Sequence, residues 1–454
     1  MISFLPIGGG NEIGANSYYL NFNDNGIILD CGIHPQKTGL ESLPNFDLIK
    51  DKSVDSCLIS HAHQDHIGSL PFLIKRFPYV KIITTPQTRA LAELTLHNSV
   101  SILKKEIEEN DFEFYLHDEV DLLIKMIEYK EYKNEFELNS FHHLRNAKVN
   151  CAFYDAGHIL GSASVLLENN DHKIFYTGDI NLSSQTLQPA AQLPETKIDT
   201  LILETTYGAT DSELLLDWDS ESIRFAKEAN NILNNGGSIL IPVFSLGKMQ
   251  EILATIWQLM QKRKLTTVDL YTGGLGTKIN RAYDYNRFVV NRVEDEFELN
   301  SIPQKDYYEI SNPEEFFKHP CIVLASSGML IKGTSSFTFA KRWIKQTDSA
   351  IFTVGYMDIK TPGSVIANSE RGDKIRLTDF DELTEVKCTI KNFKFSAHAK
   401  REELLKIVDK LKPDNVILTH GDEEALDWMG SLILKKHKDT KVHIAIAGKE
   451  IEIL

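Results

Sequence analysis

Cysteine is scarce in this sequence. Its 454 residues contain five, Cys31, Cys57, Cys151, Cys321 and Cys388, and no two form a Cys-x-x-Cys pair. A disulfide framework is not expected, and reduced thiols in a cytoplasmic protein fit better. Long apolar runs are also missing. No stretch reaches 18 uninterrupted apolar residues, so no membrane span is expected. The opening MISFLPIGGGNEIG lacks the basic start and apolar run of a signal peptide, which again points to the cytoplasm. Basic charge is in deficit, with 49 Lys+Arg against 64 Asp+Glu and a net charge of −15. That argues against nucleic acid held through global charge, but leaves room for a local phosphate site. Repeats and low-complexity linkers are absent too.

What is present is an ordinary globular composition, 42% hydrophobic and 25% charged, on a chain long enough for two or three domains. Short apolar strands alternate with amphipathic helical stretches, the pattern of an α/β protein. Residues 17–21 and 26–30 read as a hairpin around Asn-Asp-Asn-Gly, and SCLIS (56–60) as a buried strand. Residues 149–155, 163–168, 173–177 and 200–204 read as four further strands. After Glu204 the βαβ rhythm of an open, mostly parallel sheet sets in, and short strands return from about residue 375. The expected layout is a first domain at 1–205, an inserted domain at 206–370 and a return to the first at 371–454. A helical insertion is expected at about 101–145. Charge is uneven along the chain. Segment 101–138 carries 12 acidic and 5 basic side chains, and segment 292–318 carries 8 and 3. Together they hold −7 and −5 of the −15, leaving −3 elsewhere, and both read as solvated faces.

The strongest chemical signal is His61-Ala62-His63-Gln64-Asp65-His66, directly after SCLIS. Four potential ligands in six residues at a strand end are costly to bury without a metal or a dense hydrogen-bond network. Imidazole and carboxylate suit Zn²⁺, and the absence of nearby cysteine argues against a closed structural site. His158, in the turn DAGHILGS, and Asp179, in YTGDI, each read equally well alone as a turn histidine or a loop-capping aspartate. With the cluster they supply what a two-metal site still lacks, a third ligand and a bridging carboxylate. Asp30, ending GIILD, is placed to fix a ligand imidazole from behind.

Taken in order, Asp30, the His-x-His-x-Asp-His box, His158 and Asp179 resemble the metallo-β-lactamase superfamily. Three further motifs, LETTYG (203–208), FSAHA (395–399) and LTHGD (418–422), look like the signature motifs of its β-CASP nucleases. IPVFSLGKMQEIL (241–253), ASSGML (325–330) and VGYMDIKTPGS (354–364) resemble that family's inserted domain. The resemblance covers nearly the whole chain and implies an αββα sandwich with an inserted β-CASP α/β domain. It implies two divalent ions, zinc first and manganese as the alternative. One ion would take His61, His63 and His158, the other Asp65, His66 and His420, with Asp179 bridging. A water activated by the metals would be the nucleophile.

The same resemblance implies that His398 contacts the scissile phosphate and protonates the leaving oxygen, oriented by Glu204. It also implies that Ser326, Ser327 and Gly328 offer hydroxyls and backbone N–H groups to phosphate. His420 favours the RNA-processing branch, because the DNA-repair branch has an apolar residue there. The insertion resembles that of the cleavage and polyadenylation endonuclease, and GGGNEIG the start of RNase J. The nearest description is a minimal prokaryotic relative of the two. The expected function is a metal-dependent ribonuclease acting on single-stranded RNA without a membrane. Endonucleolytic and 5′-exonucleolytic cleavage, monomer and homodimer, all stay open. The rivals are a metallo-hydrolase of a small-molecule ester, a DNA-acting β-CASP nuclease and an inactive scaffold. One departure stands out: Tyr271-Thr272-Gly273-Gly274-Leu275-Gly276 replaces the family's commoner strand followed by Asp/Gly-Ser/Pro-Met.

Overall fold

The computed structural model describes residues 2–22, 24–107, 115–138, 148–169, 172–355 and 357–454. The expected insertion at about 101–145 therefore lies partly outside the described residues. Within it the chain forms the end of helix Pro86–Ile107 and the helix His117–Met126. No described helix is long and apolar enough to cross a membrane.

The chain divides into two compact units. The first comprises residues 1–182, 190–214 and 398–454, the second residues 183–189 and 215–397. In the first unit, two seven-stranded sheets are found among the described residues. Alternating apolar residues give each sheet an inner face. Phe4, Leu20, Phe22, Ile27, Leu29 and Leu58 of one meet Phe153, Val165, Leu167, Ile174, Ile202 and Ile417 of the other in one buried cluster. The outer face of the second sheet is covered by helices Arg401–Leu411 and Glu423–Lys436, whose Leu404, Ile407, Val408, Leu426, Met429 and Ile433 pack against Leu201, Leu203, Val416 and Leu418. These are layers of an αββα sandwich.

Strand direction decides where chemistry can sit. In the first sheet Asn25–Leu29, Ser56–Leu58 and Lys81–Thr84 run parallel. In the second sheet Lys173–Tyr176, Thr200–Glu204 and Asn415–Thr419 do the same. Their carboxyl ends deliver Asp30, His61, Asp179, Thr205 and His420 in turn. Ligands in α/β folds collect at such ends.

The second unit is built on the sheet Gln304–Asp306, Asp269–Thr272, Cys321–Ala325, Ile239–Pro242, Ala350–Val354 and Thr389–Phe393, in that order and parallel throughout. Its limits differ from the expected 206–370. Thr389–Phe393 pairs residue for residue with Ala350–Val354, which carries the unit on to Ala397. Residues 183–189 also belong to it, because the N–H groups of Leu187 and Gln188 donate to the buried Glu251 carboxylate at 2.8 and 2.9 Å.

Candidate metal centre

All the parts of the centre lie in the first unit. The loop after Ser56–Leu58 presents His61 and His63, then winds into the short helix Gln64–Ile67 that carries Asp65 and His66. His158 sits in the turn joining Val149–Asp155 to Ala163–Glu168. Asp179 follows Lys173–Tyr176 through Gly178, whose φ of +53° suits glycine; a Cβ there would stand 2.8 Å from Ser60 Cβ. His420 follows Asn415–Thr419 at φ +50°, and Asp30 follows Asn25–Leu29 at φ +58°. Left-handed backbone at two non-glycine residues costs about 1–2 kcal/mol each and persists only where the surroundings impose it.

The side chains form two groups sharing one carboxylate. His61 Nε2 lies 3.0 Å from His63 Nδ1, and His158 Nε2 lies 3.2 Å from the same atom. Asp179 Oδ2 faces them, 3.6 Å from His61 Nε2 and 3.7 Å from His158 Nε2. On its other side Asp179 Oδ1 is 3.4 Å from His66 Nε2 and 3.2 Å from His420 Nδ1. Asp65 Oδ2 is 3.5 Å from both His66 Nε2 and His420 Nε2. Within each group the potential ligand atoms fall within 4.8 Å of one another. Nitrogens and carboxylate oxygens from seven residues, five of them buried, converge at this spacing and suit divalent cations held by nitrogen and oxygen ligands. The hydrogen bonding agrees: Asp179 Oδ1 and His420 Nε2 are buried yet make no hydrogen bond of acceptable geometry among the described residues. Such orphans call for a partner, and the residues present fit a metal.

The electrostatics differ across the centre. Burial, with His66 as the next cause, pushes His61 well below the usual imidazole range, so it is neutral and offers a lone pair. Burial works against charge on His66 as well, but the carboxylates of Asp179, Asp65 and Asp30 outweigh it and hold this imidazole well above its usual range. For Asp179, burial opposes ionisation, and His420, His66 and His61 together overcome it, leaving the carboxyl well below normal.

Asp30 stands behind the cluster. It accepts from Ser60 N and Ser60 Oγ, each at 2.7 Å, from Tyr176 O–H at 2.6 Å, and from His66 Nδ1 at 2.8 Å. Ser60 Oγ in turn lies 3.0 Å from His61 Nδ1. One carboxylate thus aims His66 directly and His61 through a serine, turning both Nε2 atoms inward. Sequence reasoning missed Ser60 and Tyr176, and also Asn16. The Asn16 amide Nδ2 is 3.0 Å from His66 Nε2, and its Oδ1 accepts from Tyr18 O–H at 2.8 Å. Polar residues at strand ends that abut the histidine box were the only signal for these three.

Beside the centre, His398 Nδ1 is 3.0 Å from Glu204 Oε1, and its ring centroid lies 4.6 Å from that of His158. Glu204 is fixed by the N–H groups of Ile180 (2.9 Å) and Thr206 (3.1 Å). Ser326, Ser327 and Gly328 are in the second unit, at the end of Cys321–Ala325. Ser327 Oγ accepts the Ile331 N–H at 3.1 Å, closing a local turn.

Three family models match. The metallo-β-lactamase superfamily domain covers residues 19–206, the Beta-Casp domain 249–366, and the Zn-dependent metallo-hydrolase RNA specificity domain 384–445. An RNase J-like protein of Methanocaldococcus jannaschii is 30% identical over 91% of this chain and 91% of its own length. Cleavage and polyadenylation specificity factor subunit 3 of Dictyostelium discoideum is 29% identical over 97% of this chain, and the endoribonuclease ysh1 of Schizosaccharomyces pombe 27% over 98%. The chain spans little more than half of those two relatives, 56% and 57% of their lengths. A crystal structure of a protein of unknown function from Enterococcus faecalis V583 superposes with a TM-score of 0.55 at 13% identity, covering 99% of both chains, a likeness of fold. The chain belongs to the RNA-processing β-CASP nucleases of the metallo-β-lactamase superfamily.

Proposed function

We propose that this protein is a metal-dependent ribonuclease that hydrolyses RNA phosphodiester bonds in the cytoplasm. The observation that carries the reading is the shared Asp179, which turns one carboxylate oxygen to His61 and His158 and the other to His66 and His420. A carboxylate between two such groups is the arrangement a paired-metal hydrolase needs. His61, His63 and His158 would hold one ion, and Asp65, His66 and His420 the other, zinc being the first choice for this ligand set. Bound there, the ions supply Lewis-acid stabilisation of charge on phosphate oxygens and a lowered pKa for attacking water.

The chain's own residues supply the rest. Glu204 fixes His398 through Nδ1, and this imidazole is the group that would pass a proton to the leaving oxygen. Its side chain is 19% exposed against 2% for Glu204, so the imidazole reaches solvent while its anchor does not. Asp30, Ser60 and Tyr176 keep the ligand imidazoles in one orientation. Support for RNA as substrate comes from His420 and from the matched RNA specificity domain. The test is to incubate the protein with labelled single-stranded RNA, the matching DNA and a chromogenic lactam or thioester, with and without chelator. The expected result is RNA cleavage that the chelator abolishes. Cleavage of the lactam or thioester alone would replace this reading with the small-molecule one.

A further inference from the structure

Asn16 is an uncharged side chain turned in on the group formed by Asp65, His66 and His420. It is fully buried, and its Nδ2 stands 3.0 Å from His66 Nε2 and 3.5 Å from Asp65 Oδ2. Its backbone is tied to the same place. Asn16 N–H donates to the Asp65 carbonyl at 2.9 Å, and the Asn16 carbonyl accepts from Gly32 N–H at 3.0 Å.

Which end of the amide faces the ligands is decided from behind. Tyr18 O–H donates to Asn16 Oδ1 at 2.8 Å. Tyr18 is fully buried, and burial raises its pKa, so the hydroxyl keeps its proton. Hydrogen bonds from the Gly10 backbone and the Thr419 side chain lower it, as donors to the phenol oxygen do. With donors already on that oxygen, the Tyr18 hydrogen is directed to Asn16. Room for the pair exists because residue 9 is glycine. A Cβ there would stand 2.9 Å from Asn16 Oδ1 and 3.1 Å from the Tyr18 hydroxyl, and its φ of +65° suits glycine.

The amide oxygen is therefore turned away from the ligands and the nitrogen toward them. An amide NH₂ is a donor only and offers a cation nothing. That leaves two imidazoles, His66 and His420, and two carboxylates, Asp65 and the shared Asp179, a four-ligand set of the zinc type. An aspartate has the shape of asparagine and would add a carboxylate oxygen at this point. The set would then be richer in oxygen, which suits manganese better.

We infer that Asn16, held by Tyr18, sets which ion the Asp65–His66–His420 group takes, keeping a further oxygen ligand out and so favouring zinc over manganese. The inference rests on the paired-metal part of the proposed function and is independent of RNA being the substrate.

The test strips the full chain of metal and titrates it with zinc and with manganese against a chromophoric chelator. Wild type is expected to take two ions, with zinc the tighter at both. Asn16→Asp should move the zinc-to-manganese affinity ratio of one ion toward manganese by about tenfold or more, leaving the other unchanged. Tyr18→Phe frees the amide to turn its oxygen inward and should move the same ion in the same direction by less. This second variant leaves every ligand intact and carries the same test on its own. Asn16→Ala adds no oxygen and should keep the wild-type ratio. An unchanged ratio in both Asn16→Asp and Tyr18→Phe, or equal shifts at the two ions, overturns the inference. So does an equal shift in Asn16→Ala, which would mark a general disturbance of His66. Wild type that takes up neither ion overturns it together with the paired-metal reading. The expected shifts with intact RNA in a cleavage assay would uphold the inference and count against the nuclease reading alone.

Discussion

His61, His63 and His158 come from one strand end and one turn, whereas Asp65, His66 and His420 join a helical turn to a strand about 350 residues further on. The first group is all imidazole, with His61 held neutral by burial. The second includes a carboxylate and a histidine held in its charged form by Asp179, Asp65 and Asp30 against burial. The first would thus take a cation without losing a proton, whereas the second would have to give up the proton on His66 to do so. Asp179 belongs to both, and Asp30 governs both from behind. The paired site is one carboxylate-centred unit with two unlike halves.

The largest effect is expected at the shared residue. Asp179→Ala should release both ions and bring RNA cleavage to background, while Asp65→Ala should lose one ion and keep the other; elemental analysis of the purified variants measures this. Equal losses in the two variants would break the distinction between the halves. Next comes His398→Ala, which should keep normal metal content while turnover falls by roughly 10²–10⁴, the usual contribution of a positioned acid. Loss of metal in this variant would make His398 a ligand instead.

Asp30→Asn should weaken metal affinity by about 10–100-fold, as loss of a carboxylate behind a ligand histidine does. Ser60→Ala should weaken it less, and mainly at the half containing His61. Competition with a chromophoric chelator reads both.

The smallest effect is on pH dependence in metal-free protein, and its sign differs between the halves. His61 has a lowered pKa, so the unfolded chain takes up its proton first and stability falls as pH drops below about 6.5. His66 has a raised pKa, so its contribution is complete below about 6.5 and is lost as pH rises through its folded value. His61→Asn should therefore flatten the acid limb of a melting-temperature profile, and His66→Asn the alkaline limb, by about 2–4 °C. Both variants flattening the same limb would contradict the electrostatic difference.

Much of this comparison was legible in the amino-acid order. His61, His63, Asp65 and His66 crowd one strand end, and His158, Asp179 and His420 follow in a sequence that only a common fold explains. Strands such as 149–155, 163–168 and 200–204 were readable from clear apolar runs and the inserted domain from the βαβ rhythm after Glu204, whereas the sandwich followed only from the family resemblance. The support around the ligands was not legible. Asn16, Ser60 and Tyr176 each read as ordinary strand residues, and their importance lies in partners 30 to 146 residues away. The end of the second unit was hidden likewise, since Thr389–Phe393 is half-polar and takes its place in the sheet only through pairing with Ala350–Val354. The −15 charge says little about a local phosphate site, because −12 of it sits in two stretches of sequence outside the motif residues.

The most direct test of the paired site is a zinc titration of metal-free protein, following bound ions and cleavage of end-labelled RNA in the same samples. The account predicts two ions per chain, with RNA cleavage rising as the second is taken up. Cleavage at full rate without bound metal, or two bound ions with intact RNA, would contradict it.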